Sequence, residues 1–166
     1  MELALVNIGM VTIKRATQKH CKQIAKIEAA SFPIPWSTSE LTAMINEANV
    51  LAFVAEIEEE VVGYIYISKD GPDCFEVVNL AVKEEHRRKG IASQMIEQLK
   101  KAVSSKTMRC LLQAIVVDFN LPAQMFFKKL GFRATHILKG HYESDNDNEA
   151  YLFEFIHFKG KARFKI

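Results

Sequence analysis

The stretch Glu76–Ser93, EVVNLAVKEEHRRKGIAS, decides the fold of this chain. Its first seven residues are rich in Val and Leu and predict a strand, and a polar turn separates them from a helix that begins after Gly90. The helix shows an apolar residue at every fourth position, at Ile91, Met95, Leu99 and Val103. A strand, a basic turn and a helix in this order bring unpaired backbone N–H groups and positive charge to one point. Such a unit is typical of a site for a phosphate-bearing cofactor.

The basic turn formed by Arg87, Arg88 and Lys89 also has a simpler explanation. A cationic turn before a helix is often a solvated loop, with its glycine as an ordinary loop residue. Two familiar phosphate loops are excluded, because the chain has neither G-x-x-x-x-G-K-[ST] nor G-x-G-x-x-G. The pattern that remains is R-x-x-G-x-A, from Arg87 to Ala92, and its meaning depends on the rest of the chain.

The whole chain has the size and balance of one globular domain. Its 166 residues are 49% hydrophobic and 25% charged, which is enough for a substantial core. We expect a flexible leader over residues 1–10, a single domain over 11–157 and a basic tail over 158–166. The tail is either a solvated end or a contact for ribosomal RNA or an acidic partner. The net charge of +2 is too small to predict direct nucleic acid binding.

The sequence gives no sign of a membrane span, a secretory signal or a metal site. No run approaches the roughly 18 apolar residues of a membrane helix, and the N-terminal MELALVNIGM lacks a basic start. Cys21, Cys74 and Cys110 lie among apolar neighbours without C-x-x-C spacing, so free thiols are expected. The histidines show no metal-ligand spacing, so no metal is expected. Free thiols favour the reducing cytoplasm.

The hydrophobic patterns predict strands and helices in mixed order. Strands are predicted at 11–16, at 50–58 and 61–69 as a hairpin, and at 74–83, 108–117, 132–138 and 149–157. Helices are predicted after Thr17, after Ser37 in a capping box with Glu40, after Gly90, and at Pro122. We therefore expect an α/β (α+β) fold with a mixed, mostly antiparallel central sheet of about seven strands flanked by four helices.

Four segments of the chain together resemble the GNAT superfamily, the acyl-CoA-dependent N-acetyltransferases. They are FPIPWS at Phe32–Ser37, NLAV and RRKGIA at Asn79–Val82 and Arg87–Ala92, NLPAQMFFKKLGF at Asn120–Phe132, and LKGHYESDNDNEAYLFEF at Leu138–Phe155. They follow the family's order and spacing over about residues 11–156. The closer likeness is to protein N-terminal acetyltransferases, namely bacterial ribosomal-protein alanine N-acetyltransferases and archaeal and eukaryotic catalytic subunits. The resemblance implies the GNAT fold.

The resemblance also implies acetyl-CoA as the cofactor. Leu80, Ala81 and Val82 match the strand whose backbone pairs with the pantetheine arm. The loop that wraps the pyrophosphate matches Arg87, Arg88, Lys89, Gly90, Ile91, Ala92 and Ser93, and a glycine there lets the backbone approach the phosphates. Asn120 matches an asparagine that contacts the cofactor, although it also suits a helix cap. Phe127, on the helix that follows, is expected to contact the cofactor too.

Two catalytic positions of the alanine acetyltransferases differ in this chain. A glutamate is expected five residues before the asparagine and a tyrosine seven residues after it, but the chain has Ile115 and Phe127, which cannot transfer a proton. Glu76 is the candidate base, because other GNAT members place a glutamate or tyrosine fourteen residues before the loop glycine. On an apolar strand face its pKa would rise towards neutrality. The alternative is a solvated or lysine-paired edge carboxylate.

The same resemblance names the walls of the substrate site. Phe32, Pro33 and Ile34 match the loop that lines the peptide site, while Tyr142 and His141 match residues on the turn between the last two strands. A peptide N-terminus has a pKa of about 8, against roughly 10.4 for lysine, and so asks less of a base. We therefore expect the acetyl acceptor to be the α-amine of a protein or peptide, such as a nascent chain or a ribosomal protein. An auxiliary subunit is a further candidate partner.

Two rival functions stay open at this stage. The first is acetylation of a small-molecule amine or a lysine side chain on the same scaffold, which the changes at Ile115 and Phe127 support. The second is a non-catalytic module that binds acyl-CoA and has lost its proton-transfer groups. Peptides with free and blocked N-termini would separate the first rival from N-terminal acetylation. Cofactor binding without thiol release would indicate the second.

Overall fold

A computed structural model describes residues 6–8, 11–104, 109–141 and 149–158. Tyr142 and residues 159–166 of the predicted basic tail lie outside these described residues. The chain divides into two compact units. The first unit contains Met1–Lys69 and Val78–Ala102, and the second contains Asp70–Val77 and Val103–Ile166. Strand β5, Cys74–Val82, contributes residues to both units.

The first unit contains a run of antiparallel strands and most of the helices. Its strands are β1 (Val6–Ile8), β2 (Val11–Arg15), β3 (Val50–Ile57) and β4 (Glu60–Lys69), which pair in that order with antiparallel register, and the second half of β5 follows β4. Its helices are α1 (Cys21–Ser31), α2 (Thr38–Asn46) and α3 (Ile91–Ser104). The β3–β4 hairpin turns at Glu58 and Glu59, both with positive φ, as the Glu-rich turn predicted.

The start and end of the first two helices follow from local chemistry. A short 3₁₀ turn, Gln18–His20, leads into α1, so Thr17 precedes a helical segment as predicted. The predicted capping box of α2 is confirmed, because the Glu40 amide donates to Ser37 Oγ (3.2 Å) and the Ser37 amide donates to Glu40 Oε2 (2.7 Å). Pro33 and Pro35 occupy the loop between α1 and α2, where they prevent one continuous helix.

A buried core joins α1 and α2 to strands β3 and β4. Its largest side chains are those of Tyr64 and Tyr66, which contact each other edge to face at 5.9 Å between ring centroids. Ile24, Ile27 and Leu41 of the two helices are at most 2% exposed. These apolar residues of the two helices therefore face the core.

The second unit is built around a buried strand. The first half of β5 pairs in parallel with β6 (Arg109–Val117), and β6 pairs on its other side with β8 (Glu149–Phe158), which is antiparallel. Strand β7 (Arg133–Lys139) pairs with β8. Strand β6, predicted at 108–117, is an interior strand, since it has neighbours on both sides. Helix α4 runs over Leu121–Lys129, and Gly131 follows it with φ of 83°.

The mixed α/β fold is confirmed, with one addition. The described residues form eight strands and four α-helices, against about seven strands expected. The additional strand is β1, which falls in the segment predicted as a leader. Three residues are too few to show a period, which is why the pattern gave no signal there. None of the described helices is long and apolar enough to cross a membrane.

Candidate active site

The turn between β5 and α3 forms the predicted cofactor loop. After Val82 the chain makes a 3₁₀ turn at Glu84–His86, and Arg88 and Gly90 then adopt positive φ of 60° and 81°. The first helical backbone bond runs from the Gln94 amide to Gly90 O at 2.9 Å. The amides that precede it at the helix start have no intrahelical acceptor, because of the way an α-helix begins. The loop therefore presents backbone donors at the positive end of the α3 dipole.

The three cations of this loop have different environments. Arg87 is held internally, since its Nε donates to Val82 O (2.9 Å) and its guanidinium donates to Ser31 Oγ (3.1 Å). Arg88 and Lys89 are exposed, and no described residue forms a hydrogen bond or ion pair with either side chain. The structure therefore uses Arg87 to hold the loop against α1 and leaves Arg88 and Lys89 available to an anion.

The space around Gly90 is open. An added Cβ there would meet only Gln94 Nε2, at 3.9 Å, so the glycine is needed for its backbone conformation rather than for space. The Gln94 Oε1 atom is buried and has no hydrogen-bond partner within the described part of the chain. Ile91 is buried, and Ala92 and Ser93 are half-buried.

Gly63 on β4 is a residue that the sequence analysis missed. A Cβ at this position would lie 3.2 Å from Ala81 O and 3.2 Å from Val82 Cγ2, with Ile91 close behind. Gly63 therefore lets β4 approach the predicted pantetheine strand and the start of α3. The signal was present in VVGYIYIS, because a glycine inside a strand often marks a close backbone approach.

In the strand predicted to pair with the pantetheine arm, buried and exposed residues do not alternate strictly. Leu80 is half-buried, and Ala81 and Val82 are each 8% exposed. Val78 and Ala81 are three residues apart, yet both contact the core shared by α1 and α2. A period of two cannot place both of them on one face. The expectation that Glu76 lies on one apolar face of this strand therefore does not extend along the whole strand.

Glu76 lies in the second unit and is half-buried. Burial raises the pKa of its carboxyl, whereas the neighbouring His141 lowers this pKa and Asp70 raises it. No hydrogen bond to a described residue engages the carboxylate. The structure thus brings together Glu76 and His141, two of the residues predicted for the site. The oxygens of the Glu76 carboxylate can therefore accept a hydrogen bond or a proton from a ligand.

A row of polar side chains continues from Glu76 across the neighbouring strands. Glu76 pairs in register with Gln113 of β6, which pairs with Glu154 of β8. The Gln113 amide donates to Glu154 Oε1 (2.9 Å), and the Cys74 thiol donates to Gln113 Oε1 (3.3 Å). Burial raises the pKa of the Cys74 thiol, and the charges of Asp70, Glu76 and Glu154 raise it further. This thiol is therefore held in its neutral form.

The two predicted contacts near α4 have structural roles. Asn120 Oδ1 accepts the Ala123 amide at 3.2 Å and caps α4, as the alternative explanation of this residue required. The Phe127 ring is 6% exposed and lies 5.2 Å from Phe132 and 6.2 Å from Phe153 between centroids. A groove of about 730 Å³ beside α4, lined by Leu121, Met125 and Lys128 among others, contains none of the predicted site residues.

The predicted peptide loop, residues 32–37, lies between α1 and α2. Phe32 is half-buried, Pro33 is exposed, and Ile34 is 86% exposed. Trp36 packs edge to face on Tyr66 at 6.0 Å, in agreement with a packing role. Tyr142 lies outside the described residues, so its place in the site stays a prediction. No group of metal-binding side chains occurs within the described residues.

Comparisons with known proteins agree with these features. A profile of the Acetyltransferase (GNAT) family matches residues 21–132. The chain is 32% identical to an N-alpha-acetyltransferase of Saccharolobus solfataricus, covering 92% of this chain and 97% of that protein. Its fold matches that of Ard1 from Thermoplasma volcanium with a TM-score of 0.80, 25% identity, and coverage of 91% of this chain and 100% of that chain. The fold also matches the Escherichia coli ribosomal-protein-S18-alanine N-acetyltransferase, with a TM-score of 0.81, 18% identity, and coverage of 95% and 100%.

Proposed function

We propose, from the premise that this chain belongs to the GNAT family of acetyltransferases, that it transfers an acetyl group from acetyl-CoA to the α-amine of a protein or peptide N-terminus. The observation that carries the choice of acceptor is the similarity to the N-alpha-acetyltransferase of Saccharolobus solfataricus along nearly the full length of both chains. A likeness sustained over 92% of this chain includes both the cofactor loop and the peptide loop.

The loop after β5 suits the pyrophosphate of acetyl-CoA. The free amides at the start of α3, together with the exposed Arg88 and Lys89, supply donors and positive charge for an anion. Positive φ at Arg88 and Gly90 shapes the backbone so that it can curve around such a group. Arg87 contributes indirectly, because its two hydrogen bonds fix the loop.

Acetyl transfer requires a base for the attacking amine, and we assign this role to Glu76. The nitrogen attacks the carbonyl carbon of the thioester, the carbon–sulfur bond breaks, and coenzyme A leaves as a thiolate. The carboxylate accepts the proton that the amine loses, either directly or through water. A carboxyl whose pKa burial raises is a stronger base than an ordinary one. His141, Tyr142 and the loop residues Phe32, Pro33 and Ile34 are proposed to hold the peptide.

An α-amine suits this site better than a lysine side chain. Neutralising an N-terminus at pH 7 costs about 1.4 kcal/mol, against roughly 4.6 kcal/mol for lysine. The half-buried Ile115 and the buried Phe127 cannot assist proton transfer, so a less demanding acceptor is favoured. We propose nascent chains or ribosomal proteins as substrates, with an auxiliary subunit as a further partner. The free thiols of Cys21, Cys74 and Cys110 favour a cytoplasmic location.

A panel of peptides tests this proposal directly. Peptides that differ only in their first two residues would be offered with acetyl-CoA, beside N-terminally blocked peptides with internal lysines and beside polyamines. We expect coenzyme A release and a mass increase at the α-amine of free peptides. Turnover confined to blocked peptides or polyamines would favour the small-amine or lysine rival. Tight acetyl-CoA binding without thiol release on any acceptor would indicate a binding module.

The cofactor loop can be tested with two matched glycine substitutions. Gly90 and Gly71 have positive φ of 81° and 82°, and neither would bring a Cβ into a clash. Gly90→Ala and Gly71→Ala should each cost about 1 kcal/mol of stability from the left-handed conformation. Only Gly90→Ala should weaken acetyl-CoA binding, by roughly fivefold or more, in calorimetric titration. Equal affinity in both variants would contradict the assignment of this loop.

A further inference from the structure

Among the described residues of the first unit, the most buried carboxyl group lies on α1 and has no place in the proposed chemistry. Glu28 is 1% exposed, and every hydrogen bond of its carboxylate comes from a neutral donor. The Trp36 amide donates to Oε1 at 3.1 Å, and Asn79 Nδ2 lies 3.1 and 3.2 Å from the two oxygens. The Tyr64 hydroxyl donates to Oε2. Burial raises the pKa of Glu28, while the bonds from Trp36 and Asn79 lower it.

Glu28 holds both ends of the peptide loop. Its backbone carbonyl accepts the Phe32 amide at 3.0 Å, and its carboxylate accepts the Trp36 amide. Pro33 and Pro35 lie between these two bonds and have no N–H to donate. The bond from the Phe32 amide belongs to the last turn of α1 and would form with any residue at position 28, whereas the bond from the Trp36 amide depends on the Glu28 carboxylate. The Trp36 ring rests on Tyr66.

The same carboxylate reaches the strand that leads to the cofactor loop. Asn79 directly precedes Leu80, the first residue predicted to pair with the pantetheine arm, and its amide is fixed by Glu28. The Tyr64 hydroxyl also lies 3.2 Å from Asn79 Oδ1, so the strand side of the network is held by two partners. One side chain thus links the loop that faces the acceptor with the strand that faces the donor.

We propose that Glu28 is a positioning residue that sets the peptide loop for the acceptor and thereby controls peptide affinity. The inference rests on the proposed function, because it assumes that residues 32–34 contact a peptide. A helix residue that serves stability alone would affect both substrates equally or neither. A residue that fixes the loop should change the KM for the peptide and leave acetyl-CoA binding nearly unaltered.

The test compares three changes in the network with a matched control elsewhere. Glu28→Ala removes the acceptor, Glu28→Gln keeps one oxygen that can accept the Trp36 amide, and Asn79→Ala removes only the strand side. The control is Glu56→Ala, since Glu56 is a carboxylate of β3 that is 6% exposed and pairs with Lys14 (2.6 Å) and His20 (3.3 Å) away from the loop. Steady-state kinetics would give the peptide KM and kcat, and calorimetry would give the acetyl-CoA Kd.

We expect Glu28→Ala to raise the peptide KM roughly tenfold, the size of one lost hydrogen bond to a charged group. The acetyl-CoA Kd should stay within about twofold, as expected for a residue without cofactor contact. Glu28→Gln should recover most of the peptide affinity, and Glu56→Ala should leave it unaltered. Hydrogen exchange at the Trp36 amide should become faster in Glu28→Ala, which reports the loop independently of activity.

Several outcomes would overturn the inference. An unchanged peptide KM in Glu28→Ala, or an equal rise in Glu56→Ala, would show that the carboxylate serves stability alone. If Glu28→Ala does not fold, Glu28→Asp keeps the charge and withdraws the carboxylate from the Trp36 amide, and an unchanged peptide KM in that variant would have the same meaning. A wild-type enzyme that acetylates no free N-terminus would overturn the proposed function and this inference together. Turnover by the wild type with unaltered variants would overturn the inference alone.

Discussion

Two carboxyl groups of this protein have a raised pKa but differ in their burial and in their hydrogen bonds. In the first unit, Glu28 is fully buried and accepts hydrogen bonds from Trp36, Tyr64 and Asn79. In the second unit, Glu76 is half-buried, lies near His141, and accepts no hydrogen bond from a described residue. A carboxylate whose lone pairs are all occupied can hold structure but has no capacity left for a substrate. We therefore expect Glu76 to accept the proton of the substrate amine and Glu28 to position the peptide loop.

The largest effect should follow from changing Glu76, whose carboxylate accepts no hydrogen bond from a described residue. Glu76→Gln keeps the shape of the side chain and removes its basicity, so kcat should fall by roughly 10² to 10⁴ at neutral pH. The acetyl-CoA Kd and the melting temperature should stay close to those of the wild type. Stopped-flow measurement of acetyl transfer to a free N-terminus gives the rate. A loss of cofactor affinity of similar size would mean that Glu76 supports the site rather than acting in it.

The next effect concerns the free energy of unfolding and should be much larger for Glu28 than for Glu76. Glu28→Ala leaves the Trp36 amide and the Asn79 and Tyr64 side chains without their acceptor, which should lower the free energy of unfolding by about 2–4 kcal/mol. Glu76→Ala removes a carboxylate with no hydrogen bond and should cost less than about 1 kcal/mol. Urea denaturation of both variants measures this difference. Equal losses would contradict the claim that the hydrogen bonds of Glu28 stabilise the fold and that Glu76 makes no comparable contribution.

A smaller effect is the dependence of stability on pH. The folded protein holds the proton of Glu28 more tightly than the unfolded chain, where the pKa is near 4.5. The free energy of unfolding should therefore fall as pH rises from 4.5 through the raised pKa of the folded state, and then level off. Glu28→Gln should make this decline shallower in urea titrations at a series of pH values.

Glu40 provides a comparison with Glu28, because its pKa is lowered where that of Glu28 is raised. The hydrogen bonds that it accepts from the Ser37 side chain and amide hold its pKa below the ordinary 4.5. Its contribution to stability is therefore present above 4.5 and is lost as pH falls through the lower value. Glu40→Gln should change the acidic end of the same titration, in the direction opposite to Glu28→Gln. A parallel change in both variants would contradict the cause assigned to each pKa.

The sequence predicted the helices, the strands and the basic turn before α3 because their signals are local. The capping box of Ser37 and Glu40 and the hairpin with its turn at Glu58 and Glu59 each depend on residues close in the chain. The order of strand, basic turn and helix at Gly90 has the same local character. Such patterns predict where a helix begins or ends without knowledge of the packing.

The network of Glu28 could not be predicted in this way. It joins α1 to β4 and β5, whose partners are 36 and 51 positions away from Glu28 along the chain. The spacing of Cys21, Ile24, Glu28 and Ser31 does place Glu28 on the apolar stripe of α1, which was the only sign in the sequence. The close approach at Gly63 and the broken alternation between Val78 and Ala81 likewise depend on tertiary packing.

The pH dependence of single-turnover acetyl transfer tests the central assignment most directly. With acetyl-CoA and a free N-terminal peptide both saturating, the wild-type rate should rise through the raised pKa of Glu76. In Glu76→Gln the rise should instead follow the α-amine, at about pH 8, where the amine loses its proton unaided. The same midpoint in both proteins would show that Glu76 does not accept the proton, and would contradict this account.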